Sequence, residues 1–309
     1  TLREKTVNFG IKDTDRTKHF SILGRTGSGR GDMLVTMALQ DIERGLGVVL
    51  LDATGTSATK LLARIGPEHA SRVVFLDPSD AEYPYSWNVV DDIKTLPEEE
   101  QVSAYVEAVS HVFKITPTTF VAHVASLILK KPEATLVMFH TLLTDEKFRG
   151  KFFEGDDAGR ESLEAQMKLA QDAVEALERE GKYIAKDTLV RNLIGQKDSK
   201  FTLDHLPDGQ IVIVDFSHIR MYPTRMAPVI HTFVHAVGMA SRRSQTPIGL
   251  FMHDTIRYLG EAEIDSLLSP HHNVAVTIAD TIIQESDQER RLYALSRSSS
   301  VASFAAHPA

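Results

Sequence analysis

The residues best spaced for chemistry are Gly24-Arg25-Thr26-Gly27-Ser28-Gly29-Arg30-Gly31-Asp32. Two glycines separated by four residues let backbone N–H groups turn into a cradle for phosphate, a cation after the second glycine reaches the terminal phosphates, and a following hydroxyl holds Mg²⁺. Here Arg30 stands where a lysine does that work, and Gly31 stands where the hydroxyl belongs. A planar guanidinium is bulkier than an ammonium and does not replace it inside a tight cradle. The apolar run Phe20-Ser21-Ile22-Leu23 leads into the loop, and Met33 to Glu43 carries apolar positions at helical spacing. A strand, a glycine loop and a helix are therefore expected in that order.

Such a loop needs a rigid scaffold. Apolar, β-branched runs recur at Phe20–Gly24, Gly47–Asp52, Val73–Asp77, Ile211–Phe216, Ile248–Asp254, Val274–Asp280 and Val301–Ala305. Continuous apolar strands separated by helical stretches predict a mostly parallel, doubly wound α/β sheet buried on both faces. From Asp91 to about His205 the period becomes helical, over Val102–Phe113, Phe120–Leu129 and the charged Glu161–Glu180. The expected organisation is an α/β core in residues 1–90 and 206–309, interrupted by an all-helical insertion in 91–205.

The 309 residues are 42% hydrophobic and 25% charged, which is a globular composition, and the formal charge of −8 argues against a generally basic nucleic-acid coat. With no cysteine there are no disulfides, no thiolate metal ligands and no thiol catalysis, which suits a reducing compartment, so a cytoplasmic location is expected, at the face of a membrane if a longer chain carries an anchor. No apolar run reaches the roughly 18 residues that a membrane helix needs. The chain opens on Thr1 without Met and closes on His307-Pro308-Ala309, so it is expected to be part of something longer that could carry an anchor.

Several longer matches lead to a family. Asp15-Arg16 with His19 precedes the loop strand, Asp52-Ala53-Thr54-Gly55-Thr56 ends the next, and Val73-Val74-Phe75-Leu76-Asp77-Pro78-Ser79-Asp80 precedes Pro84 and Asn88-Val89-Val90. Leu142-Leu143-Thr144-Asp145-Glu146-Lys147-Phe148-Arg149 and Asp208-Gly209-Gln210-Ile211-Val212-Ile213-Val214 follow. Across essentially the whole chain these resemble the HerA/FtsK-like P-loop motors, closest to the TraG/TraD-type coupling ATPases of type IV secretion and conjugation. The resemblance implies a RecA-like core, ATP with Mg²⁺, a hexameric ring and DNA or secretion-machinery partners.

In that family the second essential strand ends in Asp-Glu, which place the metal and polarise the attacking water, and a later strand ends in a sensor Gln. Matched residue by residue, Asp254 takes the Asp position and the weak metal-ligand role, Thr255 the Glu position and Thr281 the Gln position. A threonine hydroxyl has no basicity near neutral pH, and losing a general base costs about 10²–10⁴ in rate. The loop residues Gly24, Thr26, Gly27, Ser28, Gly29, Arg30, Gly31 and Asp32 are expected to hold ATP weakly and Mg²⁺ poorly. The leading expectation is a pseudo-ATPase that serves as an assembly or docking subunit beside other motor-family subunits, in a homo- or hetero-hexamer whose pore could pass DNA. The alternative is a working DNA translocase in which Glu261 or Glu263 replaces the missing acid.

Other readings weigh less. His253-Asp254 and His271-His272 alternate faces along a strand and lack a third ligand at recognisable spacing, so they read as no metal site. Asp215 reads as a hydrogen-bonded strand end, Trp87 as packing, and the pairs Arg242-Arg243 and Arg290-Arg291, with Arg297, as solvated surface or an arginine finger for a neighbouring subunit. A dinucleotide site built on Gly27-Ser28-Gly29 and Asp52 lacks its third glycine at the right offset.

Overall fold

The computed structural model describes residues 10–80, 82, 85–219, 223–260, 264–265, 267–268, 273–281 and 300–304. Pro84, Glu261, Glu263, His271, His272, Arg290, Arg291 and Arg297 lie outside them.

The apolar runs form seven strands: β1 (Phe20–Gly24), β2 (Val48–Asp52), β3 (Val73–Leu76), β4 (Ile211–Asp215), β5 (Ile248–His253), β6 (Val274–Thr281) and β7 (Ser300–Phe304). They make one sheet in the order β3-β4-β2-β5-β6-β1-β7, and every pairing is parallel. This is the parallel α/β sheet that the apolar runs predict, in the RecA-like form that the resemblance implies. Strands as continuously apolar as β2, β4 and β5 must be covered on both faces, and these central strands are buried while Phe75 and Val301 on the edge strands β3 and β7 stay exposed. Among the described residues the helices are α1 (Asp13–Arg16), α2 (Arg30–Glu43), α3 (Thr56–Leu62), α4 (Val89–Lys94), α5 (Glu98–Phe113), α6 (Thr119–Leu129), α7 (Leu136–Thr144), α8 (Glu146–Phe152), α9 (Asp157–Leu169), α10 (Gln171–Lys186), α11 (Thr188–Ile194) and α12 (Pro223–Ser241), of which α2, α3 and α12 pack directly on the strands. The charged stretch read as one helix over Glu161–Glu180 is two, broken at Ala170 between α9 and α10.

Alternate residues of each strand enter two cores, as the strand period of two requires. Ile22, Val48, Leu50, Ile211, Ile213 and Phe251 meet Leu34, Val35 and Ala38 of α2 and Leu61 of α3. On the other face Val49, Leu51, Val212, Val214, Leu250 and Val276 meet α12, and that cluster runs on without a break into the insertion helices α4 to α11. Trp87 joins the two parts. It is fully buried and stacks on Phe233 of α12 at 4.5 Å, and its indole N–H donates to Asp92 Oδ2 at 2.7 Å. It is a packing residue, as the sequence suggests.

Two contacts fix how β2 and α2 sit. Arg16 donates from both guanidinium nitrogens to the carboxylate of buried Asp41, at 2.9 and 2.5 Å, which ties the segment before β1 to α2. At Gly47, just before β2, a Cβ would lie 2.1 Å from the backbone oxygen of Leu206, so no side chain fits without moving one of two backbones. Gly47→Ala is expected to cost about 1–3 kcal/mol, measurable as a shifted urea midpoint at unchanged slope.

Candidate functional site

Strand register assembles the site. Gly24 pairs with Thr281, His253 with Ala279 and with Asp52, and Asp52 with Asp215, so the carboxyl ends of β1, β6, β5, β2 and β4 line one edge of the sheet. In an open parallel sheet that edge is where ligands bind.

The glycine loop is built there as the spacing predicts. Gly27 and Gly29 have φ of 82° and 90°, the left-handed region that only glycine enters freely, and Gly29 caps α2 without any side-chain bond to the helix amides. Arg25, Thr26 and Gly27 are exposed, Ser28 is half-buried, and Asp32 points outward to pair with Lys60 at 2.6 Å. Arg30 does not reach into the open. It is 6% exposed, and its guanidinium lies back along the strand ends, donating to Gly24 O at 3.2 Å, Thr281 Oγ1 at 2.6 Å and Asp254 Oδ2 at 2.6 Å.

Asp254 completes that cluster. A left-handed backbone, φ 54° in a non-glycine residue, swings it off the end of β5, and its other oxygen accepts from the Thr281 backbone N–H and hydroxyl, each at 3.1 Å. Burial pushes its carboxyl upward, but the Arg30 charge and hydrogen bonds from Asp280 and Thr281 outweigh it, and the group is held below the usual carboxylate range. Three positions distant in sequence, Arg30, Asp254 and Thr281, thus close on one another.

Thr255 does not join them. It is fully buried under the turn Ile256–Tyr258, and its hydroxyl has no partner among the described residues. The side chain that does face the loop is His253. A Cβ on Gly31 would lie 3.2 Å from His253 Cε1 and 3.2 Å from Ser57 Oγ. The imidazole Nδ1 is 2.8 Å from Ser57 Oγ, 3.2 Å from Thr54 Oγ1 and 3.3 Å from Asp52 Oδ1. The sequence weighs His253 only as a metal ligand beside Asp254; its place against the glycine loop follows from the register of β5 beside β2.

Asp52 is spent on structure. One oxygen accepts from the backbone N–H groups of Ser57 and Ala58, the other from the N–H and hydroxyl of Thr54, all at 2.8 Å, so it caps α3. Burial raises its pKa, but the bond and charge of His253 and the capping N–H groups bring it below the ordinary value. Asp215 does the same for its own turn, accepting from Ser217 N at 2.8 Å. Arg242 and Arg243 lie before β5, at the opposite edge of the sheet, paired with Glu100 and Asp204.

The sheet and its glycine loop define the class of fold: a RecA-like α/β P-loop NTPase fold with a helical insertion. Among solved structures, the unbound monoclinic form of the bacterial conjugative coupling protein TrwB matches with a TM-score of 0.60 at 17% identity, over 92% of this chain and 66% of that one. TrwB in complex with ADP and Mg²⁺ matches with a TM-score of 0.62 at 16% identity, over 93% and 70%. VirB4 of Thermoanaerobacter pseudethanolicus matches with a TM-score of 0.52 at 10% identity, over 91% and 74%. The chain spans about two thirds of the length of the TrwB structures, and what it shares with them is the fold. No family model and no curated protein matches the sequence. No helix among the described residues is long and apolar enough to cross a membrane.

Proposed function

We propose that this chain is a catalytically silent domain of the secretion-coupling motor family, acting as an assembly or docking subunit. The observation that carries the reading is Arg30. In a working loop the cation waits for phosphate, whereas this guanidinium is buried and engaged on Gly24, Thr281 and Asp254. Drawing it out would strand Asp254 in a buried site, and leaving an uncompensated buried charge costs several kcal/mol.

The residues do not fit Mg²⁺. Gly31 supplies no hydroxyl, His253 packs against the position a hydroxyl would use, and Asp52 has one oxygen committed to the first amides of α3 and the other to Thr54. In this reading His253 stands in the family's metal-placing Asp position and Asp254 in its water-polarising Glu position, one residue earlier than the sequence match puts them. A neutral or cationic imidazole is a poor ligand for a hard cation that demands oxygen. The loop's N–H groups at the start of α2 remain able to hold a phosphate weakly without metal.

A domain that keeps a motor's architecture without its chemistry works through its surfaces. Its partners are active motor-family subunits or secretion and DNA-processing proteins, in a homo- or hetero-hexameric ring on the cytoplasmic side of a membrane, with DNA in the pore. Calorimetric titration with ATP, with and without Mg²⁺, tests the site. Weak binding indifferent to Mg²⁺ is expected, with no DNA-stimulated hydrolysis. Tight Mg²⁺-dependent binding with turnover that Glu261→Gln or Glu263→Gln abolishes would replace this reading with an active translocase.

A further inference from the structure

Arg30 turns away from the loop that roots it. It is the first residue of α2, directly after Gly29, yet its guanidinium spends its donors on Gly24 O, Thr281 Oγ1 and Asp254 Oδ2 at the ends of β1, β6 and β5. The loop it leaves has donors to spare. Gly29 gives the first amides of α2 no side-chain cap, and Ser28 Oγ is buried with no hydrogen-bond partner among the described residues. A buried hydroxyl left unpaired is costly, and uncapped amides at a helix start attract an anion.

The seat that Arg30 occupies is built to hold it. Asp254 keeps a left-handed backbone, a strain that persists in a non-glycine residue only where the surroundings fix it. Here they do: its N–H donates to Ala279 O at 2.9 Å, and its Oδ1 accepts from the N–H and hydroxyl of Thr281, which leaves Oδ2 for Arg30. Thr281 serves both partners, accepting from Arg30 with the same hydroxyl that donates to Asp254.

We propose that Arg30 is an autoinhibitory latch: while its guanidinium sits on Asp254 and Thr281, the loop lacks the cation that would hold an oligophosphate, and removing the Asp254 charge frees the guanidinium to hold one without metal. The latch rests on the reading of this loop as silent, and it makes the silence reversible. A guanidinium too bulky to enter the cradle can still lie across its mouth, where its fork pairs with two oxygens of a phosphate. The apparent affinity of a site falls with the fraction of molecules that hold it ready. With the latch closed the parent chain binds weakly, and loosening the latch tightens binding.

The test is calorimetric titration of the full chain with inorganic pyrophosphate in EDTA. Asp254→Asn, which keeps the size of the side chain and removes its charge, is expected to bind at least ~10-fold more tightly than the parent. Adding Arg30→Ala to Asp254→Asn should bring affinity back to no more than the parent's, which separates a freed guanidinium from the mere loss of a repelling carboxylate. Thr281→Val weakens the seat without changing any charge and should shift affinity in the same direction. It takes the place of Asp254→Asn, under the same criteria, where thermal unfolding shows that Asp254→Asn does not fold. A folded variant with the parent's affinity, or a gain that survives Arg30→Ala, would overturn the latch and leave the silent reading standing. Tight Mg²⁺-dependent ATP binding with turnover by the parent chain would overturn the silent reading, and the latch with it.

Discussion

Arg30→Ala is expected to lower unfolding free energy by about 3–5 kcal/mol, because it leaves the Asp254 carboxylate buried without its cation. The side chains of this pair are 7% and 14% exposed, so solvent does little to soften the loss. Chemical denaturation measures it. The double change Arg30→Ala with Asp254→Ala should cost clearly less than the sum of the two single changes, because the second removes the stranded charge created by the first. Arg30→Lys should fall between, keeping the charge but giving up the fork that reaches Thr281 and Asp254 together. The sign of the argument separates two kinds of loop. Where the cation serves ATP, its loss harms turnover and leaves the fold alone; where it has become part of the core, its loss harms the fold. Equal stability of Arg30→Ala and the parent chain would remove the ground for a silent site.

The strands were legible because parallel strands are nearly continuous apolar runs that stop at a turn residue, a signal that needs no partner to be read. The glycine loop was legible because Gly27 and Gly29 carry a backbone requirement in their own identity. What faces the loop was not legible. Within His253-Asp254-Thr255 the outcome turns on where β5 ends and on the left-handed turn at Asp254, and both are settled by pairing with β2 and β6 rather than by local residues.

The second large effect concerns Asp92, and it should appear as stability that falls as pH rises. Asp92 sits on α4, 3% exposed, and accepts from Trp87 Nε1 at 2.7 Å and from Leu203 N at 3.0 Å. Burial, reinforced by the nearby charges of Asp204 and Asp91, overcomes those hydrogen bonds and pushes its pKa from 3.8 up to about 7. A carboxyl whose pKa is higher in the folded state binds a proton on folding. Its contribution is therefore complete below pH 4 and is lost as pH climbs to 7. The displacement is about three tenfold steps at ~1.4 kcal/mol each, or ~4 kcal/mol. Buried His19 works in the opposite direction, since burial lowers its pKa and its contribution is lost as pH falls below 6.5. The difference between parent and Asp92→Asn isolates the carboxyl. The amide cannot accept from both donors and gives up about 1 kcal/mol of hydrogen bonding, so Asp92→Asn should be the less stable protein at pH 4 and the more stable one at pH 7.5. Urea unfolding across that range should show the two curves crossing. Parallel curves would mean that Asp92 stays ionised, and the junction between the insertion and the sheet at Trp87 would then rest on a buried carboxylate held by its two N–H donors.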